Sequence, residues 1–238
     1  MRRVAAGQVA AVRDACVAEA NALRAAGECA AAANQLMEAI GHGHLPSRAD
    51  FADMLIEGRE GVAVNHRRAF VVVEDGARLG CHHCQGMMSR CYLGGYGCGK
   101  DADRSVALAR TSAARGSKYG QYTLGMLYQY GEGGVAQDYP QAIVQYRLAA
   151  AQNHDEAQNN LGLMFGMGNG IAQNKAAALH WHQMAAAQGH RVAASNVAWY
   201  YECGTSVAAD KAEAIRWYKR AAAAGYSAAA NHLKRLGE

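Results

Sequence analysis

A chain of 238 residues with 51% hydrophobic and 18% charged residues has too many apolar side chains for intrinsic disorder. Its 24 basic and 20 acidic residues, a formal +4, are scattered along the chain, which offers nucleic acid no electrostatic track, and no window holds the roughly 18 uninterrupted apolar residues of a membrane-spanning helix. Fifty-two alanines against 2 prolines predict a soluble, mostly helical protein whose helices approach closely, because alanine has the best helix propensity and the smallest helix-compatible side chain.

Residues 1–43 read as an alanine-rich helical hairpin that caps the chain. After Arg2 and Arg3, the stretch from Val4 to Leu23 is broken by Gln8, Arg13, Asp14, Glu19 and Asn21, so it is an amphipathic helix and not a secretory signal. Residues 44–80 begin a series of units that ends at Gly80, Gly116, Asn153, Gly189 and Gly225, in steps of 36, 37, 36 and 36. A fixed period of this size marks a repeat architecture. In this first unit Phe70-Val71-Val72-Val73 has strand composition, but Ala69 falls in register with Ala178 and Ala214, which assigns the run to a second helix.

The unit 81–116 carries Gly94-Gly95-Tyr96-Gly97-Cys98-Gly99-Lys100 between its helices. This contains the body of a phosphate-binding loop, yet Asp101 stands where Ser or Thr would hold magnesium and a helix precedes it where a strand is required. Units 117–153, 154–189 and 190–225 repeat most closely: Leu124-Gly125-x-x-Tyr128-x-x-Gly131, Leu161-Gly162-x-x-Phe165-x-x-Gly168 and Val197-Ala198-x-x-Tyr201-x-x-Gly204. Apolar residues at i, i+4 and i+8 lie on one helix face. Asp138, Asn174 and Asp210 then occupy N-cap positions, followed by second helices with Ala178-x-x-Trp181 and Ala214-x-x-Trp217-Tyr218. Ala157, Ala178, Ala185, Ala193, Ala214 and Ala221 act as spacers, with Phe165, Trp181, Tyr201 and Trp217 filling the gaps between them. Residues 226–238, with Ala229-x-x-x-Leu233 and a polar Lys234-Arg235 end, form a capping helix.

The pattern A-x-x-x-L-G-x-x-Y-x-x-G-x-G-V-x-x-D-x-x-x-A-x-x-W-Y-x-x-A-A-x-x-G, closest from Gly120 to Gly225, resembles the Sel-one-like repeat (SLR), a branch of the tetratricopeptide superfamily. Phe51, Met87, Val72, Leu108 and Ser105 are departures from it in the earlier units. The resemblance implies an all-α, right-handed α-solenoid of stacked antiparallel helix pairs, whose first helices line a concave groove. It further implies a non-enzymatic adaptor or scaffold that binds a peptide or helix of a partner protein. Family offsets place Tyr122, Met126 and Gln129, then Asn159, Leu163 and Gly166, then Ser195, Trp199 and Glu202 in that groove, with Ala49, Asp53, Ile56, Gln85, Ser89 and Tyr92 in the earlier units. The alternatives are a penicillin-binding or β-lactam-hydrolysing protein of the cysteine-rich SLR type, whose cysteine pair in nearly every unit this chain lacks, and a structural subunit of a larger assembly. The family implies no cofactor.

Seven cysteines are too irregularly placed for a disulfide scaffold. Cys81-His82-His83-Cys84 has zinc-ligand chemistry, and Cys81 and His44 are equivalent positions, so Cys81 and Cys84, with His44 or His42 from the preceding turn, are the residues that would share an ion. Cys84 and Cys91, seven residues apart on one helix and so roughly 10 Å along its axis, are too distant to join it. The simpler reading makes the cysteines buried small hydrophobes, with no metal site, or bridges Cys91 to Cys98. No nucleophile has a base at recognisable spacing. Reduced thiols and the missing signal point to the cytoplasm, or to export that needs no such signal.

Overall fold

The computed structural model describes residues 2–59 and 61–238, without the side chains of residues 2–6 and 25. Among the described residues there are thirteen helices and no strands: α1 Arg2–Ala26, α2 Cys29–Gly41, α3 Leu45–Glu57, α4 His66–Arg78, α5 His82–Gly94, α6 Ala102–Ala114, α7 Lys118–Tyr130, α8 Tyr139–Ala150, α9 Asp155–Met167, α10 Lys175–Ala187, α11 Arg191–Cys203, α12 Lys211–Ala223 and α13 Ser227–Leu236. The class is therefore the expected all-α repeat of antiparallel helix pairs. The chain divides into two compact units, 1–124 and 125–238, the division falling inside α7.

The second helices α4, α6, α8, α10 and α12 start the same way. The carboxylate or amide of Asn65, Asp101, Asp138, Asn174 or Asp210 accepts the N–H three residues on, at 2.9–3.0 Å, which satisfies a donor the helix itself leaves open. The cap's own N–H returns to a carbonyl of the preceding first helix, as from Asn174 to Phe165 at 2.8 Å and from Asp210 to Tyr201 at 2.9 Å. One polar residue thus starts a helix and closes its hairpin. At the far end the chain turns through a left-handed residue, a glycine in four units and Asn153 (φ 58°) in the fifth; asparagine tolerates this region better than other side chains with a Cβ.

In the unit 1–124, α1 packs on α2, α2 on α3, α3 on α4, α4 on α5 and α5 on α6, while the first helices α3 and α5 also touch. Phe51, Met54, Leu55, Val73, Met87, Cys91 and Tyr119 share one core. Val73 is fully buried within α4, so repeat register outweighs strand propensity in Phe70–Val73. In the unit 125–238, α8 to α13 pack each on the next, and Leu179, Val197, Tyr200 and Tyr218 form the core that α13 closes with Ala229 and Leu233.

The alanine spacers at 157, 178, 185, 193, 214 and 221 have no exposed surface. The expected gap-fillers are displaced by one residue. Trp181 and Trp217 are half-buried, whereas the residues after them, His182 and Tyr218, are buried, as is Tyr146 at the equivalent place in α8. Gly162 exists at this spacing because a Cβ there would stand 2.6 Å from the His182 ring.

Candidate functional site

First helices are positioned by caps of a second kind. His44, Cys81, Ser117, His154 and His190, each the residue after a left-handed turn, accept the N–H three residues on through Nδ1, Sγ or Oγ, at 3.1–3.4 Å. Histidine is an uncommon N-cap, and sequence reasoning missed all five; the signal was their fixed place after the turn.

With α7, α9 and α11 held so, the predicted groove residues fall into three sets. Tyr122, Asn159 and Ser195, the positions before the motif's leucine, are buried. Gln129 and Glu202, the most C-terminal positions, bond to the helix behind: the Tyr146 hydroxyl donates to Gln129 Oε1 at 2.6 Å, the Tyr218 hydroxyl to Glu202 Oε2 at 2.8 Å, and Arg235 pairs with Glu202. Gly166, at this position in α9, is partly exposed. The middle positions open to solvent: Met126 and Leu163 are partly exposed, and Trp199 is 44% exposed with its indole edge-on to Tyr200.

Behind Leu163 lies a buried polar cluster. Asn159 Oδ1 accepts from His182 Nδ1, in the Nδ1–H tautomer, at 3.1 Å and from Asn196 Nδ2 at 3.2 Å. Burial, reinforced by His190, lowers the His182 imidazole to about 4, so it is a neutral hydrogen-bonding group at physiological pH.

In the unit 1–124 one corresponding position, Asp53, is charged and lies in an ion-pair cluster. Arg90, 5% exposed, donates to Asp53 Oδ1 at 2.7 Å and pairs with Glu57, while Arg59 stands 3.7 Å from Asp53. The Arg90 guanidinium also lies 5.5 Å from the Tyr122 ring centroid, within cation–π range. Ala49, Ile56, Ser89 and Tyr92 are buried and Gln85 is partly exposed. Nearby, Asp50 accepts from Lys118 Nζ at 2.8 Å and from the Tyr119 hydroxyl at 2.7 Å. Burial alone would raise its carboxyl, but Lys118 and Arg24 hold it well below the usual carboxylate range.

All seven cysteines are free thiols, Cys91 and Cys98 included. Among the described residues no group of three or more His, Cys, Asp or Glu side chains is placed to hold a metal ion. His44 Nδ1 is engaged with Ser47 at 2.6 Å, and the Cys84 thiol donates to the Leu45 carbonyl at 3.4 Å. The glycine-rich loop links α5 to α6, with Asp101 as the α6 cap. Among the described residues no helix is long and apolar enough to cross a membrane.

A family model described as the Sel1 repeat matches residues 78–117, 118–154, 155–190 and 191–226. No curated protein matches the chain by sequence. Among solved structures, the chain is similar to a Sel1 repeat protein from Oxalobacter formigenes, at 28% identity and a TM-score of 0.63 over 93% of this chain and 92% of that one. It is also similar to a protective antigen of uropathogenic Escherichia coli with an SLR fold, at 27% identity and a TM-score of 0.60; the match covers 87% of this chain but only 44% of the antigen. An immunity protein from Pseudomonas aeruginosa, at 18% identity and a TM-score of 0.57 over 90% of this chain and 83% of its own, shares the fold.

Proposed function

This chain belongs to the Sel1-repeat family, and from that premise we propose that it is a non-enzymatic protein-interaction scaffold whose first helices receive an extended peptide or helix of a partner. We read residues 44–225 as five hairpins between terminal caps. The observation that carries the reading is Trp199: an indole 44% exposed at the register position where Met126 and Leu163 are also open. Three apolar side chains, one per hairpin, form a row of anchors on a face whose other positions, Gly166 apart, are already buried or hydrogen-bonded. Tryptophan dominates binding energies where it docks into a partner, because it buries much apolar surface with few torsions to fix.

Asn159 and Ser195 serve this face from below, by packing, and Gln129 and Glu202 set its polar edge. The test begins with a partner recovered by affinity capture and identified by mass spectrometry, whose binding is then measured against Trp199→Ala. Loss of a tryptophan anchor worth about 2 kcal/mol weakens binding roughly 30-fold, with circular dichroism unchanged because the side chain is largely outside the core. Equal affinity of wild type, Trp199→Ala and Leu163→Ser for that partner would overturn the reading. Tyr122 is left out of the test because its truncation would also open the core.

A further inference from the structure

Cys81 and Cys84 have no part in the interaction face, and the hairpin 81–116 alone carries sulfur at both the N-cap and the third helical position of a first helix. The equivalent pairs are His44 with Ser47, Ser117 with Gly120, His154 with Ala157 and His190 with Ala193. Capping geometry brings such a pair together: His44 Nδ1 and Ser47 Oγ are 2.6 Å apart. In α5 the Cys84 N–H donates to Cys81 Sγ at 3.4 Å. We propose that Cys81 and Cys84 are a redox-active dithiol that exchanges with low-molecular-weight disulfides of the glutathione class and closes reversibly into an intrahelical-turn disulfide.

The two thiols are unequal in the way such exchange requires. Cys81 keeps 6% of its surface open and Cys84 none, so an incoming disulfide meets Cys81 first. The hydrogen bond from Cys84, then backbone N–H groups of Cys84 and His83, pull the Cys81 thiol below its ordinary range against the effect of burial; a thiolate at a helix N-terminus is the attacking form. Hydrogen bonding to Cys81 and burial push Cys84 up. Cys84 Sγ is lodged against the α4 backbone, where a Cβ on Gly76 would stand 2.4 Å from it.

Electrons balance over two steps. The Cys81 thiolate attacks one sulfur of the small disulfide, forming a mixed disulfide and expelling one thiolate. That thiolate takes the Cys84 proton, and the Cys84 sulfur attacks Cys81 Sγ, breaking the mixed disulfide and expelling the second small thiolate, which takes its proton from water. The dithiol is oxidised by two electrons and the small disulfide is reduced to two thiols. In closing, Cys84 gives up the one thiol proton that it shares between Cys81 Sγ and the Leu45 carbonyl of α3, so the oxidation state reaches the neighbouring hairpin.

The test equilibrates the full chain in reduced and oxidised glutathione, quenches with acid, alkylates under denaturing conditions and maps peptides after trypsin, which isolates Cys81 and Cys84 together in residues 79–90. The expected result is loss of both alkylations from that peptide at the oxidising poise, full recovery with dithiothreitol, a trapped glutathione adduct on Cys81 in Cys84→Ser, and a Cys84 that stays reduced in Cys81→Ser. The last variant keeps a cap of the kind Ser117 already provides, and its circular dichroism reports that the fold is retained. A peptide 79–90 still doubly alkylated while exposed Cys203 is modified overturns the proposal. So does a glutathione adduct on wild-type Cys81 with no bridge.

Discussion

The units 1–124 and 125–238 build one hairpin from one register and fill it differently. At the place held by Leu127, Met164 and Tyr200 in the second unit, and by Met54 in α3, α5 carries Arg90, buried against Asp53 and Glu57. On the second helices the contrast runs the other way: Tyr146, His182 and Tyr218 are buried rings, while the matching buried places of α4 and α6 hold only the smaller Val73 and Ala109. One unit places rings at the buried middle of its second helices; the other keeps small residues there and buries an ion-paired arginine on a first helix. A period of 36 residues therefore fixes where helices lie without fixing what joins them, and two stretches of one solenoid class present faces of different chemistry.

The largest effect should come from the second unit's aromatic filling. Tyr218 is fully buried and its hydroxyl donates to Glu202, so Tyr218→Ala opens a cavity and strands a polar partner, at a cost of about 3–5 kcal/mol. Trp217→Ala, on a half-buried side chain, should cost less than half of that. Urea denaturation of both variants decides it; a midpoint for Trp217→Ala as low as that of Tyr218→Ala would mean that the tryptophan carries as much of the packing as the residue after it.

In the first unit the equivalent break is electrostatic. Arg90→Met removes a cation from Asp53, which is 2% exposed, and should destabilise by about 3 kcal/mol, because a buried charge that loses a partner is penalised more than the pair was worth. Pairing it with Asp53→Leu should recover most of the loss, since an apolar filling is what Leu127 and Met164 supply at their own places. A double variant no more stable than Arg90→Met, by the same denaturation, would show that Asp53 is held independently of Arg90.

Much of this was legible in the sequence, and the boundary of legibility is physical. Asp138, Asn174 and Asp210 announce helix starts because their short side chains cap by local geometry alone, and Ala69 places Phe70–Val73 in a helix because the repeat supplies a register that propensity lacks. The histidine caps were not legible, since an imidazole caps only when its ring turns Nδ1 inward. Choosing Trp217 over Tyr218 was a one-residue ambiguity, as neighbouring aromatics point about 100° apart on a helix and the alanine pattern admits either. The Arg90–Asp53 pair, 37 residues apart in sequence, belongs to stacking and not to spacing. For the candidate face, register found Trp199, but only burial separates it from Tyr122 and Ser195, four residues apart from their open neighbours.

The smallest of the three effects is read by pH. His182 is neutral in the fold and lowered to about 4 by burial and His190, against an unfolded value near 6.5. The unfolded chain thus binds a proton that the folded chain refuses. Stability contributed at this site is complete above pH about 6.5 and falls as pH drops toward 4, by on the order of 2 kcal/mol over the interval. Asp50 acts lower on the scale: its carboxyl is depressed in the fold, so its contribution is intact above an unfolded value of about 3.9 and is lost only below it. Between pH 6.5 and 4, then, His182 weakens the second unit, and His83, lowered by burial to about 4, weakens the first in the same way, while the Asp50 carboxylate stays charged. His182→Gln keeps a hydrogen-bonding amide beside Asn159 and removes the titration, so its denaturation midpoint should be flatter than wild type across that interval. Parallel slopes in the two proteins would assign the acid sensitivity to another group.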